Sequence, residues 1–454
     1  MAKQTFGSKA GLIAATVGSA VGLGNIWRFP AEVQANGGGA FLLVYILCVF
    51  LLGVPVMMGE FALGRGGRGD TISVYRRLAP GKPWWLTGVL GLLASYTILS
   101  FYLVVAGWTL EYLVSSVTGD LYATIPGDAP GSSAQFAHRM AEYVATPVKP
   151  VVFTILLIVI NAVVLLGGVQ KGIEKMSNLL MPVLFLLLIL FCCVSLSLPE
   201  AGEGVTFFLK PDFSKITPGV CIDALGQAFF SLSLGMGTLV TYSSYFPKDT
   251  RLGRTAVTVS ALDLLVALMM GIVIFPAVMS FGLANESFEG ATLVFVTLPE
   301  VFMQMPGTQA WSILFFLLLL IAAVTSTISL AEVAVAFAAD RYFKGNRRKS
   351  LLLVLLPLLI VSPLCSLSNG VLSHVTIFGQ TLFNFLDTFS TNILLPLVGL
   401  TMCIYLGWFA PRGFLEEELT NRGAIRSLWP RVAMVLLRYV APLLILLIFI
   451  SRFA

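Results

Sequence analysis

Apolar residues recur along the whole chain in long stretches that are separated by shorter polar segments. An apolar stretch of about 20 residues is long enough, as an α-helix, to cross the hydrocarbon core of a bilayer. The pattern therefore predicts an all-α polytopic membrane protein with eleven transmembrane helices. The predicted spans are 10–34, 38–63, 86–116, 150–168, 173–197, 217–246, 253–282, 307–341, 349–368, 375–408 and 432–453.

The composition excludes a water-soluble domain. Hydrophobic residues make up 57% of the chain and charged residues only 11%, whereas a soluble domain carries about 25% charged residues. The net charge of +5 does not indicate a nucleic-acid partner. The cysteines lie in or beside apolar stretches and have no metal-ligand or disulfide spacing, so we interpret them as packing residues. They are Cys48, Cys192, Cys193, Cys221, Cys365 and Cys403.

The positions of the positive charges predict the orientation. Of the 28 lysine and arginine residues, 21 fall on one side of the predicted spans and five on the other. Cytoplasmic loops carry this excess, so the amino terminus is predicted inside and the carboxyl terminus outside. No small-residue cleavage site leads from the first apolar stretch into a soluble domain, so this stretch is predicted to stay in the protein. Residues 117–149 are predicted as an outer loop, and 283–306 as short helices that cap the outer face.

Two predicted spans are interrupted by glycine-rich segments. The first contains residues 18–25 (GSAVGLGN) and the sixth contains residues 231–238 (SLSLGMGT). Each glycine weakens a helix by about 1 kcal/mol relative to alanine, and a break within a membrane is tolerated where it lines a protein cavity. For either segment alone, close-packing glycines between helices remain an equally good interpretation.

The position of the two segments favours real breaks. Each one opens a group of five spans, and because five is odd, the second group runs inverted relative to the first. The predicted single transmembrane domain, 1–454, therefore contains one repeat at about 10–197, a second at about 217–408 and an extra helix at about 432–453. Inverted repeats with broken helices are typical of transporters that bind their substrate at the membrane midplane. Free N–H groups at the helix ends suit a carboxylate, and free carbonyls suit a sodium ion.

Several segments resemble the signatures of the neurotransmitter:sodium symporter family, and the match extends over essentially the whole chain. They are GSAVGLGNIWRFP (18–30), NGGGA (36–40), GEFALGR (59–65), GQAFFSLSLG (226–235), TYSSY (241–245) and TST (325–327). The eleven spans and short loops are similar to the bacterial amino-acid branch, close to its multi-hydrophobic amino acid transporters. The resemblance implies a leucine-transporter-type fold.

The resemblance implies two sodium sites. The first would use Ala20, Asn25, Ser231, Asp263 and the carboxylate of the substrate. The second would use the following five residues: Gly18, Val21, Ala322, Thr325 and Ser326. The last three are spaced i, i+3 and i+4 and share one helix face. For the two hydroxyl residues alone, hydrogen bonds to their own helix are the preferred interpretation.

Asp263 stands where relatives commonly have asparagine. Chloride-dependent relatives bind the anion near this position, so a carboxylate there implies chloride independence, with Tyr45 and Gln227 as remnants of the anion site. A structural aspartate held by hydroxyl groups is the alternative, although carboxylates within membranes are expensive and usually functional. We expect Asp263 to take up a proton when sodium leaves, which would give proton counter-transport.

The resemblance also implies a substrate pocket with no charged side chain. Its predicted lining is Ser19, Ala20, Gly22, Ile98, Tyr102, Phe230, Ser231, Ser233, Met236, Ser326 and Leu330. Tyr102 would bind the substrate carboxylate and, together with Phe230, close the pocket from outside. Met236 replaces the phenylalanine of a leucine-selective relative, and because methionine adapts to irregular shapes, large apolar or aromatic side chains are expected.

Gate residues follow from the same resemblance. Arg28 and Asp387 match the outer pair of the family. The inner gate matches Lys3 and Asp340, with Tyr245 beside them, although Lys3 replaces an arginine and cannot form the same bidentate contact. We expect Glu60 to accept hydrogen bonds from the broken helices. Gly172 and Pro182 frame the inner start of span 5 and would let it unwind, but a plain loop-to-helix boundary is as good an interpretation.

These observations predict sodium-coupled symport of hydrophobic or aromatic L-amino acids across the bacterial inner membrane. Two sodium ions, the amino acid and membrane lipid are the expected ligands, with no nucleic acid and no required protein partner. An enzyme is disfavoured because the two histidines, His138 and His374, lie near outer loops and form no catalytic cluster. A channel and a receptor-like or scaffold role on the same fold stay open. A sodium/solute symporter of another family with the same fold is the nearest alternative.

Overall fold

The structure, a computed structural model, describes residues 4–124, 129, 131–283, 290–425 and 429–452. Over these residues, nine helices have the length and apolar composition needed to cross a membrane. A further pair, Lys9–Ala20 (α1) and Gly24–Ala35 (α2), forms one span that is bent by 56° at its break. The chain is therefore a multi-pass membrane protein.

The remaining elements follow in chain order. The first half continues with α3 (Gly39–Gly67), α4 (Thr71–Leu78), α5 (Trp85–Thr118), α6 (Ser133–Ala145), α7 (Lys149–Leu166) and α8 (Val169–Leu196). The second half contains α9 (Ala201–Leu209), α10 (Pro218–Ser231), α11 (Thr238–Ser243), α12 (Leu252–Ser280), α13 (Leu293–Met303), α14 (Thr308–Arg341), α15 (Arg347–Leu367), β1 (Thr376–Ile377), β2 (Gln380–Thr381), α16 (Leu382–Phe409), α17 (Phe414–Leu419) and α18 (Trp429–Ser451). Single helical turns lie at Asp120–Tyr122 and Phe213–Lys215.

The first and sixth predicted spans are both broken, as the sequence predicts. In the first, Val21 is extended (φ −66°, ψ 115°) and ends α1. In the sixth, residues 232–237 separate α10 from α11, and the φ angle is positive at Ser233 (54°), Gly235 (75°) and Gly237 (71°). Glycine adopts positive φ without a steric penalty, which explains its presence at two of these three positions. The total of eleven spans stays a prediction.

The predicted start of the tenth span is wrong. Residues 376–381 form a two-stranded antiparallel hairpin instead, and α16 begins only at Leu382. Phe378 and Gly379, between the strands, both have positive φ (50° and 81°), as a two-residue hairpin turn requires. The Thr381 side chain then caps α16 by accepting a hydrogen bond from the Asn384 N–H. The outer segments contain helices of their own, α6 within 117–149 and α13 within 283–306.

The broken helices are enclosed by long continuous ones. The two longest helices, α5 and α14, have 34 residues each and pack along one another. The half-helix α1 packs against α8, α12 and α14, while α11 packs against α3 and α14. The α3–α11 contact is close at Gly64, where a Cβ atom would overlap the Ser243 side chain and the Val240 carbonyl. Glycine at this position lets α3 pack closely against the second half of the sixth span, α11.

We predict that Gly64→Ala destabilises the protein by about 1–3 kcal/mol, because the added methyl group overpacks a backbone contact. The matched control is Gly202→Ala in α9, since a Cβ atom there has no neighbour within 4 Å. Thermal unfolding of the two purified variants in detergent measures the difference. Equal unfolding temperatures for Gly64→Ala and the wild type would contradict the packing role of Gly64.

Candidate functional site

The break in the first span presents backbone N–H groups to side chains on other helices. The Leu23 N–H donates to the Tyr102 hydroxyl oxygen (2.9 Å), and the Gly22 N–H donates to Asn25 Oδ1 (3.2 Å). A Cβ atom at Gly22 would lie 2.7 Å from Ser326 Oγ and 2.8 Å from the Tyr102 oxygen. Only glycine therefore allows α5 and α14 to approach the break this closely. Tyr102 accepts this bond through its hydroxyl oxygen, so its hydroxyl hydrogen is not used in the bond to Leu23.

The break in the sixth span is tied to its surroundings by two hydrogen bonds. The Ser233 hydroxyl donates to the carbonyl of Ser19 (2.9 Å), so the two breaks are in direct contact. The Gly235 N–H donates to Glu60 Oε1 (2.7 Å), the kind of contact that the sequence predicts for Glu60. Glu60 is only 1% exposed. These bonds replace helical ones, which matters because an unpaired backbone group in a membrane costs several kcal/mol.

A buried cluster of three polar side chains, Asn25, Ser231 and Asp263, lies beside the two breaks. Asn25 Nδ2 donates to Ser231 Oγ and to Asp263 Oδ1, both at 2.9 Å. Ser231 Oγ donates to Asp263 Oδ2 (2.8 Å), and the Tyr45 hydroxyl donates to Ser231 Oγ (3.2 Å). Asp263 is completely buried, and the described residues form no salt bridge to it. The cluster, which we call the carboxylate cluster, is thus a buried carboxyl group surrounded by hydroxyl oxygens and an amide.

Gln227 also faces the first break, because its Nε2 donates to the Gly24 carbonyl (3.1 Å). Its Oε1 atom and the Ser19 hydroxyl oxygen are buried and have no hydrogen-bond partner among the described residues. Hard oxygen ligands of this type, together with a carboxylate, suit a small hard cation. Among the described residues, no group of three or more His, Cys, Asp or Glu side chains could hold a metal ion.

All eleven residues predicted for the substrate pocket line one cavity at the breaks, which we call the central cavity. Sequence reasoning missed one lining residue, Gly24, whose Cβ position lies 3.1 Å from the Phe230 ring. None of the lining residues is charged. They are Ser19, Ala20, Gly22, Gly24, Ile98, Tyr102, Phe230, Ser231, Ser233, Met236, Ser326 and Leu330. The cavity thus combines an apolar wall with hydroxyl groups, and the N-terminal end of α2 lies at one side.

The second predicted ion-site set is also brought together, but its two hydroxyl groups behave differently. Ser326 Oγ donates to the Val21 carbonyl across the break (3.2 Å). Thr325 Oγ1 instead bonds back to the Ile321 and Ala322 carbonyls of its own helix (3.0 and 3.1 Å). A Cβ atom at Gly18 would lie 3.2 Å from the Thr325 Cβ atom, so α1 and α14 are in close contact here.

Next to the central cavity, on the side that the charge pattern predicts to face outward, lies a vestibule of about 890 Å³. Arg28 and Asp387 both line it, yet no nitrogen–oxygen pair between them is within 4.0 Å in the described part of the chain. Arg28 Nε lies 3.7 Å from Glu32 Oε1 instead, and its guanidinium lies 4.6 Å from the centre of the Phe230 ring. Phe230 lines both the vestibule and the central cavity, so it separates the two spaces.

On the side that the charge pattern predicts to face inward, the structure shows an ion-pair network that sequence reasoning missed. Glu332 is completely buried in α14, and its carboxylate accepts bonds from Arg347 Nη1 and Nη2 (3.0 and 2.5 Å). The Tyr245 hydroxyl donates to the same carboxylate (2.7 Å), and Arg347 Nε donates to the Leu165 carbonyl (3.0 Å). The sequence does contain a signal for this network, because Glu332 is a carboxylate within an apolar span. Asp340 and Tyr245 line the same inner cavity, whereas Lys3 lies outside the described residues.

The comparisons with known sequences agree on one family. A family model described as "Sodium:neurotransmitter symporter family" matches residues 3–127 and 138–454. YhdH of Bacillus subtilis (strain 168), an uncharacterized sodium-dependent transporter, is 39% identical over 444 residues, which cover 98% of this chain and 96% of that protein. The sodium-dependent serotonin transporter of Drosophila melanogaster is 29% identical over 487 residues, covering 99% of this chain and 76% of the relative.

A solved structure supports the same relationship. The crystal structure of MhsT in complex with L-phenylalanine matches with a TM-score of 0.88 and 39% sequence identity. The match covers 99% of this chain and 100% of the MhsT chain. The fold predicted from the two broken spans is therefore confirmed as the leucine-transporter type.

We predict that Glu332→Gln lowers stability by about 3–5 kcal/mol, because it leaves the Arg347 guanidinium partly buried without its countercharge. Glutamine can still accept the hydrogen bond from Tyr245, so the loss of stability measures the effect of removing the negative charge. The matched control is Arg348→Gln, an exposed neighbour. Thermal unfolding of the purified variants tests this, and the double variant Glu332→Gln/Arg347→Gln should recover part of the loss. A single variant as stable as the wild type would refute the prediction.

Proposed function

The chain belongs to the sodium:neurotransmitter symporter family, and from this premise we propose that it takes up hydrophobic and aromatic L-amino acids together with sodium. Membership makes the protein a sodium-coupled transporter and not an enzyme. It also removes the alternative of a sodium/solute symporter from another family. The single observation that carries the proposal is the contact between two broken helices beside a buried carboxylate and an uncharged cavity.

The amino-acid backbone would bind at the polar side of the central cavity. The helix end at Gly22 and Leu23 supplies positive dipole potential for the substrate carboxylate, and the Tyr102 hydroxyl hydrogen is the matching donor. The substrate side chain would occupy the apolar side, formed by Ile98, Phe230 and other uncharged residues. A charged side chain would be desolvated there without a partner, which is strongly unfavourable. The L-phenylalanine in the MhsT crystal structure supports an aromatic substrate.

Two sodium ions would bind beside the substrate. Asn25, Ser231 and Asp263, with the Ala20 carbonyl and the substrate carboxylate, would form the first site. The Asp263 charge would balance the ion, so no chloride would be required, and a proton would take the place of sodium on Asp263 during the return step. Tyr45 and Gln227 would be remnants of the site at which chloride-dependent relatives bind the anion.

The second sodium site would hold the inner half of the first span against α14. Its ligands would be the Gly18, Val21 and Ala322 carbonyls with the Thr325 and Ser326 hydroxyls. Thr325 bonds back to its own helix, so a rotation about its χ1 angle would bring the hydroxyl to the ion. Binding would therefore stabilise the packing of α1 on α14 that is needed before the inner path can close.

Alternating access would use gates on both sides of the central cavity. On the outside, Phe230 and the Arg28–Asp387 pair would close the vestibule. On the inside, Lys3, Asp340 and Tyr245 would form the gate. Positive charges concentrated in one set of loops support a cytoplasmic amino terminus, an outside carboxyl terminus and insertion in the bacterial inner membrane.

Release to the inside would begin at the first turns of α8. Glu174 accepts hydrogen bonds from the Gly7 N–H and the Ser8 hydroxyl, both at 2.7 Å, so this turn holds the start of α1. Gly172 is tightly packed against the end of α7, and Pro182 leaves one backbone carbonyl of α8 without its helical donor. Unwinding between these two residues would free the inner half of the first span.

We predict that leucine, phenylalanine and tryptophan stabilise the purified protein in sodium, whereas lysine and glutamate do not. A ligand at 100 times its Kd adds about 2.7 kcal/mol to the free energy of unfolding, which thermal unfolding readily detects. Replacing Na⁺ by K⁺ should abolish the effect, and concentrative uptake into proteoliposomes would separate a transporter from a channel. Tighter binding of lysine or glutamate than of phenylalanine would overturn the substrate assignment.

We also predict that replacing chloride by gluconate leaves sodium-driven uptake unchanged. Asp263→Asn should lower the apparent sodium affinity at least about tenfold, because a charge within about 4 Å of the ion is lost in a poorly solvated site. Chloride should then restore part of the activity of this variant. The control is Asp212→Asn, an exposed loop residue whose carboxylate accepts a hydrogen bond from the Ser214 hydroxyl. Collapse of wild-type uptake in gluconate would refute the role of Asp263.

A further inference from the structure

Arg28 has two carboxylates on different helices within electrostatic reach at the outer end of the first span. Glu32 lies four residues further along the same helix, α2, and forms the salt bridge to Arg28. Asp387 lies across the vestibule on α16, and its charge also acts on Arg28. The two carboxylates therefore compete for one guanidinium.

Three contacts keep Arg28 on the Glu32 side in this structure. The guanidinium packs on the Phe230 ring and faces Glu32 at 3.7 Å. Asp387 accepts a hydrogen bond from the Thr391 hydroxyl on its own helix instead (3.2 Å). Arg28, Glu32, Phe230 and Asp387 all line the vestibule of about 890 Å³, so the path to Phe230 is open while Arg28 is paired with Glu32.

Glu32 also accepts a hydrogen bond from Asn36 Nδ2 at 3.2 Å, and a second ion pair lies beside it. The other charges that act on Glu32 are those of Asp223 and Arg452. Arg452 Nη2 lies 3.9 Å from Asp223 Oδ1, so these two charges largely balance each other. The Arg28 and Glu32 side chains are each 23% exposed, and a pair of this exposure is weak enough to exchange partners.

We propose that Glu32 is a positioning residue of the outer gate, which holds Arg28 on its own helix and keeps the vestibule open until the substrate binds. The inference rests on the proposed function and deepens it. Phe230 lines the central cavity as well as the vestibule. A substrate side chain that moves the Phe230 ring therefore also moves the surface on which the Arg28 guanidinium packs. Transfer of Arg28 to Asp387 then joins α2 to α16 and closes the outer path.

The test measures how accessible the vestibule is. Asn384→Cys places a thiol in the vestibule lining, and its labelling rate by a membrane-impermeant maleimide reports opening in sodium buffer without substrate. With Glu32→Gln or Glu32→Ala in this background, Arg28 is free to pair with Asp387, so labelling should slow by severalfold. Glu32→Asp should retain most of the wild-type rate. Glu203→Gln, an exposed neutralisation on α9, should leave the rate unchanged.

Two further measurements separate positioning from a general structural effect. Adding Asp387→Asn to Glu32→Gln should restore rapid labelling, because the competing partner is then neutral. Dissociation of bound phenylalanine should be severalfold slower in Glu32→Gln than in the wild type. Wild-type labelling rates in both neutral Glu32 variants would overturn the inference. Failure of the proposed function would give a different result, namely a wild-type protein that shows no sodium-dependent binding of amino acids. The labelling comparison needs no substrate, so it would still decide the role of Glu32.

Discussion

The structure depends on how backbone groups are satisfied where two membrane helices are interrupted. In hydrocarbon, an unpaired N–H or C=O group costs several kcal/mol, so a break persists only when protein groups replace the lost helical bonds. Here the first break is served by Tyr102, Asn25, Ser233 and Ser326, whereas Glu60 serves the second. The long continuous helices α3, α5 and α14 carry or position most of these groups, which explains why the broken halves need a rigid surround.

The same bonds place the chemistry of the site. Polar side chains that form hydrogen bonds to the unpaired backbone groups of a break must lie close to it. They therefore also concentrate oxygen atoms at one depth in the membrane. The carboxylate cluster is one result, because Asn25 is both a partner of the Gly22 N–H and a donor to Asp263. In the proposed cycle, sodium and the substrate would use groups that the broken backbone already requires. Binding and the stability of the breaks are then coupled through shared residues.

The sequence predicted the parts of this arrangement that follow from local chemistry. Glycine clusters marked both breaks. Contacts between different segments were harder to predict. In the sequence, Arg347 resembles any other loop charge, and only the fold brings it to Glu332. The hairpin at residues 376–381 was missed because its short strands lie next to an apolar span, and only the positive φ angles at Phe378 and Gly379 distinguish it. The choice of Arg28 between Glu32 and Asp387 depends on distances across the vestibule, which no local pattern contains.

The two sides of the transporter differ in how deeply their ion pairs are buried. The Arg28–Glu32 pair is partly hydrated, so exchange with Asp387 needs little desolvation and the energy difference between partners is small. The Glu332–Arg347 pair holds a carboxylate with no solvent exposure, and separating it would strand a charge in a poorly solvated place. A gate that must respond to a bound amino acid benefits from the first kind of pair. The second kind of pair suits a fixed connection, and here it joins α14 to the start of α15.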